Sequence, residues 1–159
     1  MDYNLRINSI VSESIVDGPG IRMAVFVQGC PHHCPGCHNP QTHDFSGGHL
    51  ISVSSVFEQY KENPLLRGIT FSGGEPFCQA GALAELGRMI RQSGGTVITY
   101  TGYIYEDLLE MAKEDPAVSD LLSVTDWLID GPYVEELRSL DLEYRGSTNQ
   151  RILRFRENA

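Results

Sequence analysis

Three cysteines in the run Cys30-Pro31-His32-His33-Cys34-Pro35-Gly36-Cys37 constrain this chain more than any other feature. A C-x3-C-x2-C spacing puts three thiolates on one short loop, and Pro31, Pro35 and Gly36 suit a tight loop wrapped around a metal. Iron–sulfur clusters normally take four cysteine ligands. Three would leave one iron open, and an open metal position is where a substrate can bind and react.

Two plainer uses of the cysteines compete with that one. Disulfides need an oxidising compartment, and the start Met1-Asp2-Tyr3-Asn4-Leu5-Arg6 lacks a basic region followed by an apolar stretch. Zinc is the stronger rival, with Cys78, His32, His33 or His38 as a fourth ligand. Zinc ribbons and fingers usually pair two knuckles, however, and the chain has no second one; Cys78 alone reads as a small half-buried residue.

About forty residues on lies Gly68-Ile69-Thr70-Phe71-Ser72-Gly73-Gly74-Glu75-Pro76. Its first half is β-branched and aromatic, as in a short strand, and the glycine pair ends it. Two glycines at a strand end let backbone N–H and C=O groups come close to a ligand. Alone the motif is weak, since any strand-to-helix turn can carry it. After a three-cysteine loop it is specific.

Strand and helix signals alternate along the chain, which argues for an α/β fold with a parallel sheet. Strands are expected at 22–28, 68–72, 96–100, 126–130 and 152–155. Helices are expected from about Ser52–Ser55 to before Pro64, at 79–92, at 105–113 and at 117–123. Leu83, Leu86, Met89 and Ile90 share one face of the second helix and belong to the core. Each motif follows a strand, so all can meet beyond the strands' carboxyl ends. At 159 residues, with no repeat or linker, one domain over 1–159 is expected. No apolar stretch approaches a membrane span. The net charge of −9 disfavours nonspecific nucleic-acid binding. Four cysteines, three of them set out as metal ligands, indicate a reducing, cytoplasmic setting.

On these residues the chain resembles the radical S-adenosylmethionine superfamily, and within it the small glycyl-radical activases. Val16-Asp17-Gly18-Pro19-Gly20-Ile21-Arg22, ahead of the cysteine loop, is similar to the same place in those activases. Thr99-Tyr100-Thr101-Gly102-Tyr103 and Asp130-Gly131-Pro132-Tyr133 also match. Tyr144-Arg145-Gly146-Ser147-Thr148-Asn149-Gln150-Arg151-Ile152 resembles the C-terminal signature of the branch that serves anaerobic ribonucleotide reductase. The likeness runs from about residue 5 to about residue 153.

The resemblance implies a radical S-adenosylmethionine core shaped as an incomplete TIM-type barrel, because a closed eight-unit barrel needs about 200 residues or more. It implies a 4Fe-4S cluster on Cys30, Cys34 and Cys37, with S-adenosylmethionine on the open iron. Gly73, Gly74 and Glu75 would hold the methionine ammonium, and Gly36, Cys37 and His38 would lie beside the adenine. Reductive cleavage of S-adenosylmethionine would then generate a glycyl radical on the large subunit of an anaerobic ribonucleotide reductase. A reduced flavodoxin is the kind of electron donor implied.

Other positions stay open. Asp17-Gly18-Pro19-Gly20 is also an ordinary turn sequence. Arg145 and Asn149 could hold the C-terminal segment or meet a partner. Tyr103 and Trp127 read as packing residues, Arg22 and Asp130 have no settled role, and His43 and His49 carry no readable signal. The competing functions are an activase of the pyruvate formate-lyase type, a small-molecule radical enzyme such as a 7-deazaguanine-forming synthase, and a zinc-stabilised interaction module.

Overall fold

The computed structural model describes residues 3–159. Strand β1 (Asn4–Ser14) comes first and β2 (Arg22–Val27) runs into the cysteine loop. Then follow β3 (His49–Ser52), helix α1 (Val53–Lys61), β4 (Gly68–Gly73), α2 (Ala80–Gln92) and β5 (Thr96–Tyr100). Helices α3 (Tyr105–Ala112) and α4 (Pro116–Val124) lead to β6 (Trp127–Asp130) and β7 (Arg151–Arg154). Local chemistry sets the boundaries. Ser52 caps α1 by accepting from the Ser55 N–H at 3.1 Å. Asp115 caps α4 by accepting from the Ala117 N–H at 3.0 Å, with Pro116 in the first turn.

All eleven elements are organised on one seven-stranded sheet of order β3-β1-β2-β4-β5-β6-β7. The inner strands β2, β4, β5 and β6 are parallel. Strands β1, β3 and β7 pair antiparallel at the two sides. The sheet is therefore mixed, where the sequence reading anticipates a parallel one. Strands β1 and β3 escape that reading. Leu5 and Ile7 alternate into the core from β1, Ile10 packs partly against it, and the rest of that strand is polar or exposed.

The parallel strands step across the sheet in one direction, so right-handed crossovers bring their helices to the same face. Met23, Val25, Ile69, Phe71, Val97 and Leu128 meet Leu83, Leu86, Ile90, Leu108 and Leu121 of the helices in the main core. Alternate residues on the opposite face form a smaller cluster of Ile98, Trp127 and Ile129, with Tyr100 and Tyr144 packed against it. Arg22 is fully buried and ties three strands together: it donates to the Thr70 hydroxyl (3.0 Å) and to the Thr96 hydroxyl (2.9 Å) and carbonyl (3.0 Å). Burial pulls its guanidinium down to about 10, so it remains charged at neutral pH. Arg22 is a strand tie and takes no part in the cavity's lining.

Candidate functional site

The carboxyl ends of the parallel strands open into a cavity of about 680 Å³, within the usual range for a cofactor or substrate site. Its lining includes Cys30, Cys34 and Cys37 after β2, Gly73 and Gly74 at the end of β4, Tyr100 to Gly102 after β5, and Gly131 and Tyr133 after β6. The sequence-expected motifs thus share one site. They arrive together because consecutive parallel strands deliver their following loops to the same edge of the sheet.

Backbone hydrogen bonds fix the cysteine loop. Gly29 N–H donates to the Thr42 carbonyl (2.6 Å), Cys30 N–H to the His43 carbonyl (3.2 Å) and Cys37 N–H to the Cys34 carbonyl (3.1 Å). The glycine pair of β4 grips the loop's root: Gly74 N–H donates to the Val27 carbonyl (3.0 Å) and Glu75 N–H to the Gly29 carbonyl (2.8 Å). A Cβ on Gly74 would stand 2.3 Å from the Gly29 oxygen, so glycine is required there by the approach of the cysteine loop's own backbone. The sequence reading gives that closeness to a cofactor alone.

Cys30 is buried, and burial with the nearby Glu75 charge pushes its thiol up. Cys34 and Cys37 are half-buried, and Asn39 N–H donates to the Cys37 Sγ at 3.4 Å. Among the described residues no three His, Cys, Asp or Glu side chains converge closely enough to hold a single ion. Three soft thiols bordering a cavity of this size suit a larger iron–sulfur cluster. Cys78 is exposed in the turn after Glu75 and is not part of the cavity lining.

Glu75, expected beside the methionine ammonium, has a structural role as well. Its carboxylate is fully buried and every oxygen is engaged within the protein. Oε1 lies 2.6 Å from His32 Nε2 and accepts from the Gly102 N–H (2.8 Å) and the Thr101 hydroxyl (2.9 Å). Oε2 accepts from the Phe77 N–H at 2.9 Å. Glu75 is thereby a clamp that joins the cysteine loop, the end of β4 and the loop after β5. His32 also packs edge-on against Tyr103 at 4.6 Å between ring centroids. A Cβ on Gly102 would fall 2.4 Å from the His32 ring.

His38 lines the cavity with its ring 4.9 Å from Tyr133. Gly36 has φ +73°, and the Glu135 carboxylate occupies the space that a side chain there would need. Asp17 lines the cavity too, accepting from the Ser14 hydroxyl at 2.5 Å, while its carbonyl accepts from the Thr70 hydroxyl at 2.9 Å. Asp130 is buried outside the lining, bound by Arg151 Nε (3.0 Å) and the Tyr105 N–H (2.8 Å). Asn149 donates to the Pro132 carbonyl at 2.8 Å, holding the C-terminal loop to the turn after β6. Arg145 lines the cavity.

Residues without a role in the sequence reading also belong to the lining: His43, and Arg138, Ser139, Leu140 and Leu142. His43 comes in through a backbone bond to Cys30, and its Nε2 is buried without a hydrogen-bond partner. No pattern in the sequence announces it. Arg138-Ser139-Leu140-Asp141-Leu142-Glu143-Tyr144 does carry a signal, an alternation of apolar and acidic residues that resembles a strand.

Comparison with known proteins agrees with this geometry. The model of the 4Fe-4S single cluster domain matches residues 16–153. The anaerobic ribonucleoside-triphosphate reductase-activating protein of Vibrio cholerae is 34% identical over 149 residues, covering 89% of this chain and 92% of that protein. The pyruvate formate-lyase-activating enzyme of Clostridium pasteurianum is 37% identical over 133 residues, 76% of this chain but 54% of the enzyme. Among solved structures, QueE from Escherichia coli superposes with a TM-score of 0.50 at 18% identity, over 62% of this chain and 52% of that one. That last likeness is one of fold. The chain spans about half the length of both the Clostridium enzyme and QueE.

Proposed function

The chain belongs to the 4Fe-4S single cluster domain family and, within it, to the anaerobic ribonucleoside-triphosphate reductase-activating proteins, and from that premise we propose that it installs the glycyl radical of an anaerobic ribonucleotide reductase. It is an enzyme of the radical S-adenosylmethionine type that works with a 4Fe-4S cluster and S-adenosylmethionine. The observation that carries the reading is the shared cavity of three thiols and the Gly73-Gly74 strand end. Near-complete coverage of the Vibrio activator, against about half of the Clostridium enzyme, favours the reductase over pyruvate formate-lyase as target.

Cys30, Cys34 and Cys37 would hold the cluster. When bound, the two groups supply a one-electron reductive cleavage that converts S-adenosylmethionine to methionine and 5′-deoxyadenosine as a glycine Cα–H gives up its hydrogen atom. The protein's part is position and shielding. Glu75, through His32 and Thr101, keeps the cysteine loop and the loop after β5 in register. Gly73 and Gly74 offer backbone to the methionine end, and Gly36, Cys37 and His38 flank the nucleoside end. The parallel strands β2, β4, β5 and β6 form the wall of a partial, unclosed barrel, and 1–159 acts as one domain. Its open side admits a loop of a protein substrate. A cytoplasmic location and a reduced-flavodoxin electron donor complete the proposal.

Anaerobic reconstitution tests it directly. The protein should retain about four iron and four sulfide per chain, the content of a cubane cluster, and Cys30→Ser, Cys34→Ser or Cys37→Ser should each lose them. With the reductase deuterated at glycine Cα, deuterium should pass into 5′-deoxyadenosine and a radical doublet should appear on the reductase. Transfer from pyruvate formate-lyase and none from the reductase would reassign the target. Stoichiometric zinc in a colourless protein would end the cluster reading.

A further inference from the structure

We propose that the rim of the cavity, built by Val16 and the Arg138–Tyr144 segment, is the docking surface for a peptide segment of the partner reductase that presents apolar side chains together with an Asp or Glu carboxylate. The proposal rests on the activase reading and names what the partner must carry. Within the segment, Arg138, Ser139, Leu140, Leu142 and Tyr144 line the cavity, whereas the acidic Asp141 and Glu143 do not. Leu140, Leu142 and Tyr144 reach the cavity from a bent segment, with Tyr144 at φ +61°. Leu140 is 94% exposed despite that position, and the neighbours Ile15 and Val16 are 75% and 72% exposed. Val11 and Val16 line the same cavity. Exposed aliphatic residues scattered singly need no explanation; several bordering one cavity mark an interaction surface.

Charge identifies the occupant. The chain carries a net charge of −9, yet two guanidinium groups at this cavity have no carboxylate partner among the described residues. Arg138 makes no side-chain hydrogen bond or ion pair among them, and Arg145 has only long bonds of 3.4 Å to the Glu143 and Gln150 carbonyls. Elsewhere Arg88, Arg151 and Arg156 are each paired with a carboxylate, while Arg6 and Arg91 bond to carbonyls and Arg154 lies over the Trp127 ring, all away from this cavity. Arginines left free beside exposed leucine, in an acidic protein, select an acidic and apolar peptide over a basic one. Carboxylate recognition by a guanidinium also sets the direction in which the segment lies.

Binding of the full-length anaerobic reductase to the anaerobically reconstituted protein tests the surface, with the spectral response of the reduced cluster to S-adenosylmethionine as a second readout. Leu140→Ser and Arg138→Glu should each weaken reductase binding by about tenfold, with the cofactor response unchanged. Val16→Ser should do so less strongly. Arg138→Lys should keep most of the affinity, and the deficit of Arg138→Glu should shrink as salt is raised. Unchanged affinity in both Leu140→Ser and Arg138→Glu would overturn the proposal. A parallel fall in the cofactor response would also overturn it, by assigning the rim to the cofactor. If the unmodified protein responds to S-adenosylmethionine but does not bind the reductase, the activase reading fails, and this surface with it.

Discussion

Glu75 shows how one side chain can hold three loops of a site together. The carboxylate accepts from Gly102, Thr101 and Phe77 and meets His32, so it closes a network across three chain segments. Glu75→Gln keeps the shape but sets an amide N–H₂ against neighbours that are themselves donors. The expected cost is about 2 kcal/mol, read as a lower urea midpoint with an unchanged slope. An unchanged midpoint would show that the network does not hold the loops. Gly74 makes a second prediction. Because a Cβ there would meet the Gly29 oxygen at 2.3 Å, Gly74→Ala should lower iron retention as well as the response to S-adenosylmethionine. Full iron content with a lost response would place the crowding at the cofactor instead. Cys78 supplies a third. The residue is exposed, yet desolvation, reinforced by Glu75 and Cys30, pushes its thiol up from 9.0 to about 11. A raised pKa leaves little thiolate at neutral pH, so folded Cys78 should alkylate about a hundredfold more slowly than the unfolded chain. The rate should climb as pH approaches 11, and mass spectrometry of the modified peptide reads it.

At the scale of elements, Arg151 fastens β7 to the rest of the sheet. It donates to both oxygens of buried Asp130 on β6 and to Glu106 on α3. Arg151→Ala leaves Asp130 buried without its cation. The loss should be about 1–3 kcal/mol, at the low end because Arg151 is itself partly exposed to solvent. Amide exchange should rise first in Arg151–Arg154 and in the Gly146–Gln150 turn; uniform exchange would refute the fastening role. The inner strands and all four helices are legible in the sequence. Their hydrophobic periods are strong and their ends carry caps or glycines, as at Ser52, Asp115 and Gly94. Strands β1 and β3 are not legible. β1 takes its register from β2 and β3 takes its register from β1, and both have exposed faces with little apolar alternation. The cysteine loop and Gly73-Gly74 were readable because their chemistry is local. The clamp role of Glu75 and the arrival of His43 depend on segments far apart in the chain, which no local pattern reports.

For the molecule as a whole, the mixed sheet places the loops after β2, β4, β5 and β6 around one cavity while all four helices cover the other face. Stability is then divided: the helix-covered face holds most of the buried apolar residues, and the cavity side depends on hydrogen bonds and a small cluster around Trp127. A ligand that bridges the loops should therefore stabilise the cavity side most. At one hundred times its dissociation constant, S-adenosylmethionine should add about 2.7 kcal/mol to the cluster-loaded protein. Amide exchange should slow together in the segments around Cys30–Cys37, Gly73–Glu75, Thr101–Tyr103 and Gly131–Tyr133, with little change in α1, whose contacts lie on the other face. Simultaneous protection is the signature of one shared site, because each loop alone has few contacts to lose. Protection confined to the cysteine loop would mean that the four strand ends do not act as a unit, whatever chemistry the thiols support.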